Sequence, residues 1–156
     1  MKKMGEELQI FKKILLCVDG SENSYKAAQT GILISKQNAA EVFVLFVIDL
    51  DLIEAIIRVQ GKNQAEIKTQ MKEYGKAYVR DIERLCEENQ LKCTKLIEEG
   101  HPANVILHCT KKYNVDLIVI AHHKKARADK MFAGTIVSDI IEFAQCMILI
   151  VGEKKR

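Results

Sequence analysis

Five short apolar runs recur along the chain, and a polar or turn-forming residue ends each of them. Runs that are apolar at every position, and not only at alternate positions, are typical of parallel strands buried on both faces. The pattern therefore predicts five buried strands, of which the third is the weakest. The predicted strands are Ile14–Val18, Val42–Ile48, Cys93–Ile97, Val115–Ala121 and Cys146–Val151.

Between the strands, apolar residues recur every three or four positions, which is the spacing of an amphipathic helix. The clearest helix runs from about residue 67 to residue 85, and its apolar stripe includes Tyr74 and Tyr78, which we expect to pack in the core. Inward positions are also predicted at Ala28, Ile32 and Leu33 in the first helix and at Ile136, Ile140 and Phe143 in the last. The pattern gives no clear assignment for Leu50–Asn63.

Strand and helix alternate four times before a fifth strand closes the series. This order predicts an α/β fold with a doubly wound parallel sheet and helices on both faces. No shift in composition divides the chain, so we expect one domain over residues 1–156, with its core at about 11–151 and polar tails at 1–10 and 152–156. Ligands of such sheets bind where the strands end, here in the loops after Val18, Ile48, Ile97 and Ala121.

Composition narrows the classes of function. The 24 basic and 21 acidic residues leave a net charge of +3, which is too small to predict nucleic-acid binding. The longest apolar run, Val42–Ile48, is far shorter than the roughly 20 residues of a membrane-spanning helix, so we expect no membrane partner. The five cysteines form no Cys-x-x-Cys pair, which favours free thiols and a cytoplasmic location. The four histidines show no ligand spacing, which predicts no metal site.

Five segments share their order and spacing with a known family. They are ILLCVDGSENS at 14–24, VFVLFVID at 42–49, GHPA at 100–103, DLIVIA at 116–121 and GTIVSDIIEFAQCMILIV at 134–151. Together they resemble the universal stress protein family. The resemblance implies a flavodoxin-like five-stranded sheet in the order 3-2-1-4-5, a homodimer, and a regulatory role through protein partners that the sequence does not identify.

Many members of this family bind ATP through a motif of Gly, two residues, Gly, nine residues, Gly, and then Ser or Thr. On this chain the four positions are Ala121, Lys124, Gly134 and Thr135, of which the last two match. Ala121 and Lys124 replace glycines, which let backbone N–H groups approach phosphate oxygens closely. A second hydroxyl is often found at the position of Val137. These departures predict that ATP binds weakly and that no cofactor is required.

Two further family positions concern the adenosine end of a nucleotide. The resemblance implies that Asp19 faces the adenosine and that the backbone of Val47 meets the adenine. The residues alone leave two roles open for Asp19. It is either a ligand-binding carboxylate at the end of a strand or a cap for the turn before the first helix.

A basic segment, His122–Lys130, follows the fourth predicted strand. Four cations stand there against Asp129, which gives a local charge of +3. The segment is either an anion site near a helix start or a solvated surface loop. Its His122-His123 pair resembles the branch of the family that lacks nucleotide binding.

The leading hypothesis is a non-enzymatic universal stress protein, a homodimer with a degenerate nucleotide pocket. The alternative is an ATP-binding member with slow ATPase activity. Two enzyme-like classes of similar fold are disfavoured. The loop Asp19–Ser24 lacks the Ser-Gly-Gly-x-Asp-Ser sequence of adenine-nucleotide hydrolases, and Glu98 and Glu99 follow the third strand where a phospho-receiver domain has its phosphorylated Asp.

The last predicted strand, Cys146–Val151, is apolar and is followed only by a short charged tail. At the edge of an open sheet it would leave backbone N–H and C=O groups unpaired. Two copies that pair across a two-fold axis would satisfy these groups. We therefore expect a homodimer through this strand.

Overall fold

The computed structural model describes residues 9–122 and 130–152, and it describes side chains in the second range from residue 136 onward. Five strands and five helices follow one another along these residues, with two consecutive helices between the second and third strands. In chain order they are β1 Lys13–Val18, α1 Glu22–Asn38, β2 Glu41–Asp49, α2 Leu50–Gln60, α3 Gln64–Glu88, β3 Cys93–Gly100, α4 Pro102–Lys112, β4 Leu117–Ala121, α5 Lys130–Phe143 and β5 Met147–Val151.

The five strands form one parallel sheet in the order β3-β2-β1-β4-β5. In the central strand β1, Leu16 lies between Val44 of β2 and Val119 of β4. The chain moves outward through β2 to β3 and then returns to β4, so the direction of winding changes between β1 and β4. The predicted flavodoxin-like α/β fold is confirmed, and so is its strand order.

Helices cover both faces of the sheet, and each face has its own core. On one face α1, α2 and α3 pack over alternate strand residues, among them Ile14, Val44 and Phe46. On the other face, α4 and α5 pack over the remaining strand residues, which alternate with the first set and include Leu15 and Leu45. Both faces of the central strands are therefore buried, which is why these strands are apolar at every position.

Two predicted inward positions are wrong. Leu33 is 60% exposed because α1 faces the sheet through its small residues and Ile32. Phe143 is 59% exposed at the last turn of α5, whereas Ile140, one turn earlier, is fully buried. The periodicity places both side chains near the apolar stripe, but it does not set how far the stripe extends around each helix.

The segment that the sequence pattern left unassigned forms helix α2. Asp49 begins it, since its Oδ1 accepts hydrogen bonds from the backbone N–H groups of Asp51 at 3.0 Å and Leu52 at 3.1 Å. Gly61 ends it in the left-handed conformation. Ile53 is the one fully buried residue of α2, and Leu50, Ile56 and Ile57 pack against the same core while partly exposed. Across the described residues, every helix is too short or too polar to cross a bilayer.

Candidate functional site

A cleft of about 260 Å³ opens at the carboxyl ends of β1, β2 and β4. The strand ends form its floor. Its sides are Leu52 of α2, Met71 of α3, Pro102 of α4, and Ile136 and Val137 of α5. This is the place where doubly wound sheets bind ligands, because the loops on either side of the winding change leave a gap there.

The structure brings three of the six predicted site residues to this cleft. Asp19 at the end of β1, Val47 of β2 and Ala121 at the end of β4 all line it. Lys124 lies outside the described residues, as does most of the basic segment. Gly134 and Thr135 belong to α5, directly before the lining residues of that helix, but their side chains are outside the described part.

Asp19 has the turn-capping role that the sequence allowed. Its Oδ1 accepts the backbone N–H of Ser21 at 2.9 Å, and its own N–H donates to Ser24 Oγ at 3.3 Å. Ser21 in turn caps α1, because its Oγ accepts the N–H of Ser24 at 3.1 Å. The carboxylate is exposed and borders the cleft as well, so capping and ligand contact are compatible.

Two tyrosines of α3 donate hydrogen bonds to this loop, a role that the sequence pattern did not reveal. Tyr78 Oη donates to the backbone oxygen of Ser21 at 2.8 Å and lies 2.7 Å from Ser24 Oγ. Tyr74 Oη donates to the backbone oxygen of Gly20 at 2.9 Å. Burial raises the pKa of Tyr78 to about 12, so its hydroxyl stays protonated as a donor. We call this side of the cleft, Asp19–Ser24 with Tyr74 and Tyr78, the β1 wall.

The expected core position of Tyr74 is therefore wrong. Its side chain is 56% exposed, and its ring lies against Gly20 at the edge of the cleft. Tyr78 is half-buried and packs beside Phe46 and Tyr25. The four-residue spacing correctly placed both rings on the face of α3 that turns toward the protein. It did not indicate that backbone oxygens, and not apolar side chains, would lie opposite their hydroxyl groups.

The opposite side of the cleft is built differently. Asp49 ends β2 and lines the cleft, and α2 follows it with Leu52 over the opening. His101, which precedes α4, contacts Asp51 of α2 with its Nδ1 2.8 Å from the carboxylate oxygen. We call this side, Asp49, α2 and His101, the β2 wall. Asp49 carries the same sequence signal as Asp19, a carboxylate that directly follows a buried strand, and the family positions gave it no role.

The charged groups in the described lining of the cleft are carboxylates. Among the described lining residues there are two, Asp19 and Asp49, and neither lysine, arginine nor histidine. Burial is the main cause that raises the pKa of Asp49 above its usual range. Cys17 also lines the cleft, and burial raises the pKa of its thiol, which leaves it a poor nucleophile. Within the described residues, no three His, Cys, Asp or Glu side chains come together to hold a metal ion.

Residues 10–152 match the family model of the universal stress protein family. The chain belongs to this family. It is 30% identical to the universal stress protein MJ0531 of Methanocaldococcus jannaschii over 153 residues, which cover 97% of this chain and 87% of that relative. The predicted family is thus confirmed across nearly the whole sequence.

Solved structures of universal stress proteins share the fold. The structure of MJ0577, another protein of Methanocaldococcus jannaschii, matches with a TM-score of 0.77 at 25% identity and covers 94% of this chain and 99% of that one. A universal stress family protein from Arabidopsis thaliana with AMP bound matches with a TM-score of 0.61 at 17% identity, over 92% of each chain. At 17% identity, this likeness shows a shared fold.

Proposed function

We propose that this universal stress protein is a non-enzymatic regulator whose cleft takes an adenine nucleotide weakly. The binding of AMP by the Arabidopsis thaliana protein supports the class of ligand. The position of the cleft, at the change of winding between β1 and β4, supports the place of binding. The regulatory role would act through protein partners, and the five free thiols favour a cytosolic location.

The observation that carries weak binding is the charge of the cleft. Its described lining offers Asp19 and Asp49, both acidic, beside a wall that is mostly apolar. A polyphosphate meets repulsion there unless Mg²⁺ or cations from elsewhere offset it. Ala121 adds to the effect, because its methyl group is buried where the family motif has a glycine. The cleft volume is also just below the roughly 300–1,000 Å³ of common small-molecule sites.

Isothermal titration with Mg-ATP tests this proposal. We expect the wild-type protein to bind with a dissociation constant above roughly 100 μM, equivalent to less than about 5.5 kcal/mol of binding free energy. A triple variant that restores the motif, Ala121→Gly, Lys124→Gly and Val137→Ser, should bind at least about tenfold more tightly, or about 1.4 kcal/mol. Adding Asp19→Ala to that variant should remove the gain.

The alternative of a slow ATPase is decided by phosphate release. We expect no release above the background of buffer and Mg-ATP for the wild-type protein. Release that disappears in Asp19→Ala would favour the ATPase, since this carboxylate borders the cleft. Low-micromolar affinity of the wild-type protein would contradict weak binding even if no phosphate were released.

We also propose that the protein is a homodimer through β5. Among the described residues this strand pairs with β4 alone, and its Met147 and Ile150 are 60% and 37% exposed. Ile141 and Phe143 of the neighbouring α5 are exposed beside it. An apolar strand with an open edge is the kind of surface that a second copy covers.

Light scattering after gel filtration measures the assembly. We expect about twice the chain mass of 17.7 kDa for the wild-type protein. Ile150→Lys should shift the protein to monomer, because it places a charge in the paired surface. Val59→Lys is the matched control, since Val59 is 85% exposed on α2, and it should remain a dimer. A monomeric wild-type protein, or an unchanged dimer in Ile150→Lys, would overturn this interface.

A further inference from the structure

Asp49 brings a hydrogen-bond acceptor to the β2 wall of the cleft. It is the last residue of β2, it is half-buried, and it lines the cleft. Its Oδ1 accepts both of the backbone N–H groups that begin α2, those of Asp51 and Leu52. Within the described part of the chain, its second oxygen, Oδ2, takes part in no hydrogen bond. No buried side-chain oxygen of the described residues lacks a partner, so Oδ2 is accessible. One oxygen therefore holds the helix, and the other is available to a ligand.

The surroundings of Asp49 favour a flat apolar group that carries a hydrogen-bond donor at its edge. Leu52 lies three residues further along in α2, and Val47 lies two residues earlier on the same strand. Pro102 follows Gly100, the residue of β3 that is in register with Asp49. Leu52, Val47 and Pro102 all line the cleft. An ionised carboxylate only accepts hydrogen bonds, so the ligand must supply the N–H or O–H.

An adenine nucleoside has two kinds of donor, the 6-amino group of its base and the hydroxyl groups of its ribose. The other polar groups of the described lining, Asp19 and Ser24, belong to the β1 wall. The ribose is the more polar part, so we expect it on the β1 wall. The base then lies on the β2 wall, where its faces meet apolar side chains and its amino group meets Asp49.

We propose that Asp49 makes the cleft selective for adenine, because its Oδ2 accepts a hydrogen bond from the 6-amino group of the base. This inference rests on the proposed function, since it assigns the base of the bound nucleotide to one wall. A ligand without the amino group displaces water from a half-buried carboxylate and gives no donor in return. Asp49 is thus a specificity-determining residue as well as the cap of α2.

NMR titration of the full chain with nucleosides tests the inference. Adenosine and purine riboside differ only by the 6-amino group, and neither carries a phosphate, so the altered phosphate motif does not enter the comparison. We expect the wild-type protein to bind adenosine about tenfold more tightly than purine riboside. A third nucleoside, 2′-deoxyadenosine, keeps the amino group and tests the ribose as the source of the donor.

Asp49→Asn is the decisive variant. Asparagine keeps one oxygen for the cap of α2, which it forms as well as aspartate does, and it replaces the other oxygen with an N–H donor. The preference for adenosine over purine riboside should disappear, while the ratio of adenosine to 2′-deoxyadenosine affinity should stay that of the wild-type protein. Asp51→Asn is the matched control, because this neighbouring carboxylate pairs with His101 and does not line the cleft. It should keep the wild-type preference for adenosine.

Three outcomes would overturn the assignment of Asp49 while leaving nucleotide binding in place. They are equal wild-type affinity for adenosine and purine riboside, a preference that persists in Asp49→Asn, and an Asp49→Asn effect that appears with 2′-deoxyadenosine instead. The last would mean that Asp49 accepts from the ribose. If neither adenosine nor AMP bound at millimolar concentration, the proposed function would fail and this inference with it.

Discussion

The two walls of the cleft begin with the same chemical motif and are held in different ways. In each, an aspartate at the end of a buried strand caps the helix or turn after it, Asp19 on the β1 wall and Asp49 on the β2 wall. On the β1 wall, two tyrosines of the long helix α3 donate hydrogen bonds to the loop backbone. On the β2 wall, an ion pair between exposed His101 and half-buried Asp51 connects α2 to the start of α4.

This difference predicts which wall is rigid. The hydrogen bond from the partly buried Tyr78 hydroxyl to a backbone oxygen resists exchange with water and contributes about 1 kcal/mol, and the exposed bond from Tyr74 adds less. An ion pair in contact with water contributes little and is screened by salt. The β1 wall should therefore hold its shape with or without ligand, and the β2 wall should open first.

The largest effect is expected from Gly20→Ala on the β1 wall. Gly20 has φ +87°, which strains any other residue, and an added Cβ would collide with the ring of Tyr74. We expect the free energy of unfolding to fall by about 2–3 kcal/mol. Urea unfolding at one fixed protein concentration measures it, because a dimer's stability depends on concentration.

Gly61→Ala is the matched control for that change. Gly61 also has a positive φ, +62°, but its Cβ would meet nothing within 4 Å. Only the backbone strain remains, so we expect a loss of about 1 kcal/mol. Equal losses at the two glycines would show that the Tyr74 contact adds nothing to the β1 wall.

The sequence predicted the fold well because the central strands are buried on both faces. A run such as Ile14–Val18 has no polar position that a helix or surface strand would need, so its type is unambiguous. Helix α2 was missed for the opposite reason, since only Ile53 is fully buried and its apolar pattern extends to the exposed Val59. Its two end signals, Asp49 before it and Gly61 after it, were nevertheless present.

The candidate site was predictable only in part. Strand ends and family positions indicated Asp19, Val47 and Ala121, because the carboxyl ends of neighbouring parallel strands always meet at one edge. The partners of the Asp19 loop were not predictable, since Tyr78 is separated from Ser21 by 57 residues. Periodicity assigns a side chain to a face of its helix, whereas its hydrogen-bond partner depends on how that helix crosses the sheet.

An intermediate effect is expected from Tyr78→Phe. The change keeps the ring against Phe46 and removes the hydroxyl that reaches Ser21 O and Ser24 Oγ, both close to the buried end of α1. We expect the free energy of unfolding to fall by about 1–2 kcal/mol. Tyr74→Phe removes a single hydrogen bond, to Gly20 O, which is exposed to solvent. We expect it to lower the free energy of unfolding by less than about 1 kcal/mol. If Tyr74→Phe proved the more damaging, the burial of the Tyr78 hydroxyl would not be what stabilises this wall.

Breaking the ion pair of the β2 wall should have the smallest effect on the free energy of unfolding, but this effect should depend most strongly on pH. The hydrogen bond and charge of Asp51, with smaller contributions from Glu54 and Asp49, raise the pKa of His101 above its ordinary value. The protonated imidazole is therefore favoured in the folded protein. The contribution of this ion pair to stability is complete below the pKa of an unfolded histidine, about 6.5, and is lost as pH rises through the higher value of the folded protein.

Asp51→Asn should lower the pKa of His101, and NMR titration of the ring protons measures this change. Its stability should differ from that of the wild-type protein mainly at acidic pH. Asp81→Asn, which removes a carboxylate paired with Arg84 elsewhere on the surface, should leave the His101 titration unchanged. A His101 titration that is the same in Asp51→Asn and in the wild-type protein would mean that the contact does not hold α2 to α4, and that the apolar contacts of α2 and the Asp49 cap fix the β2 wall.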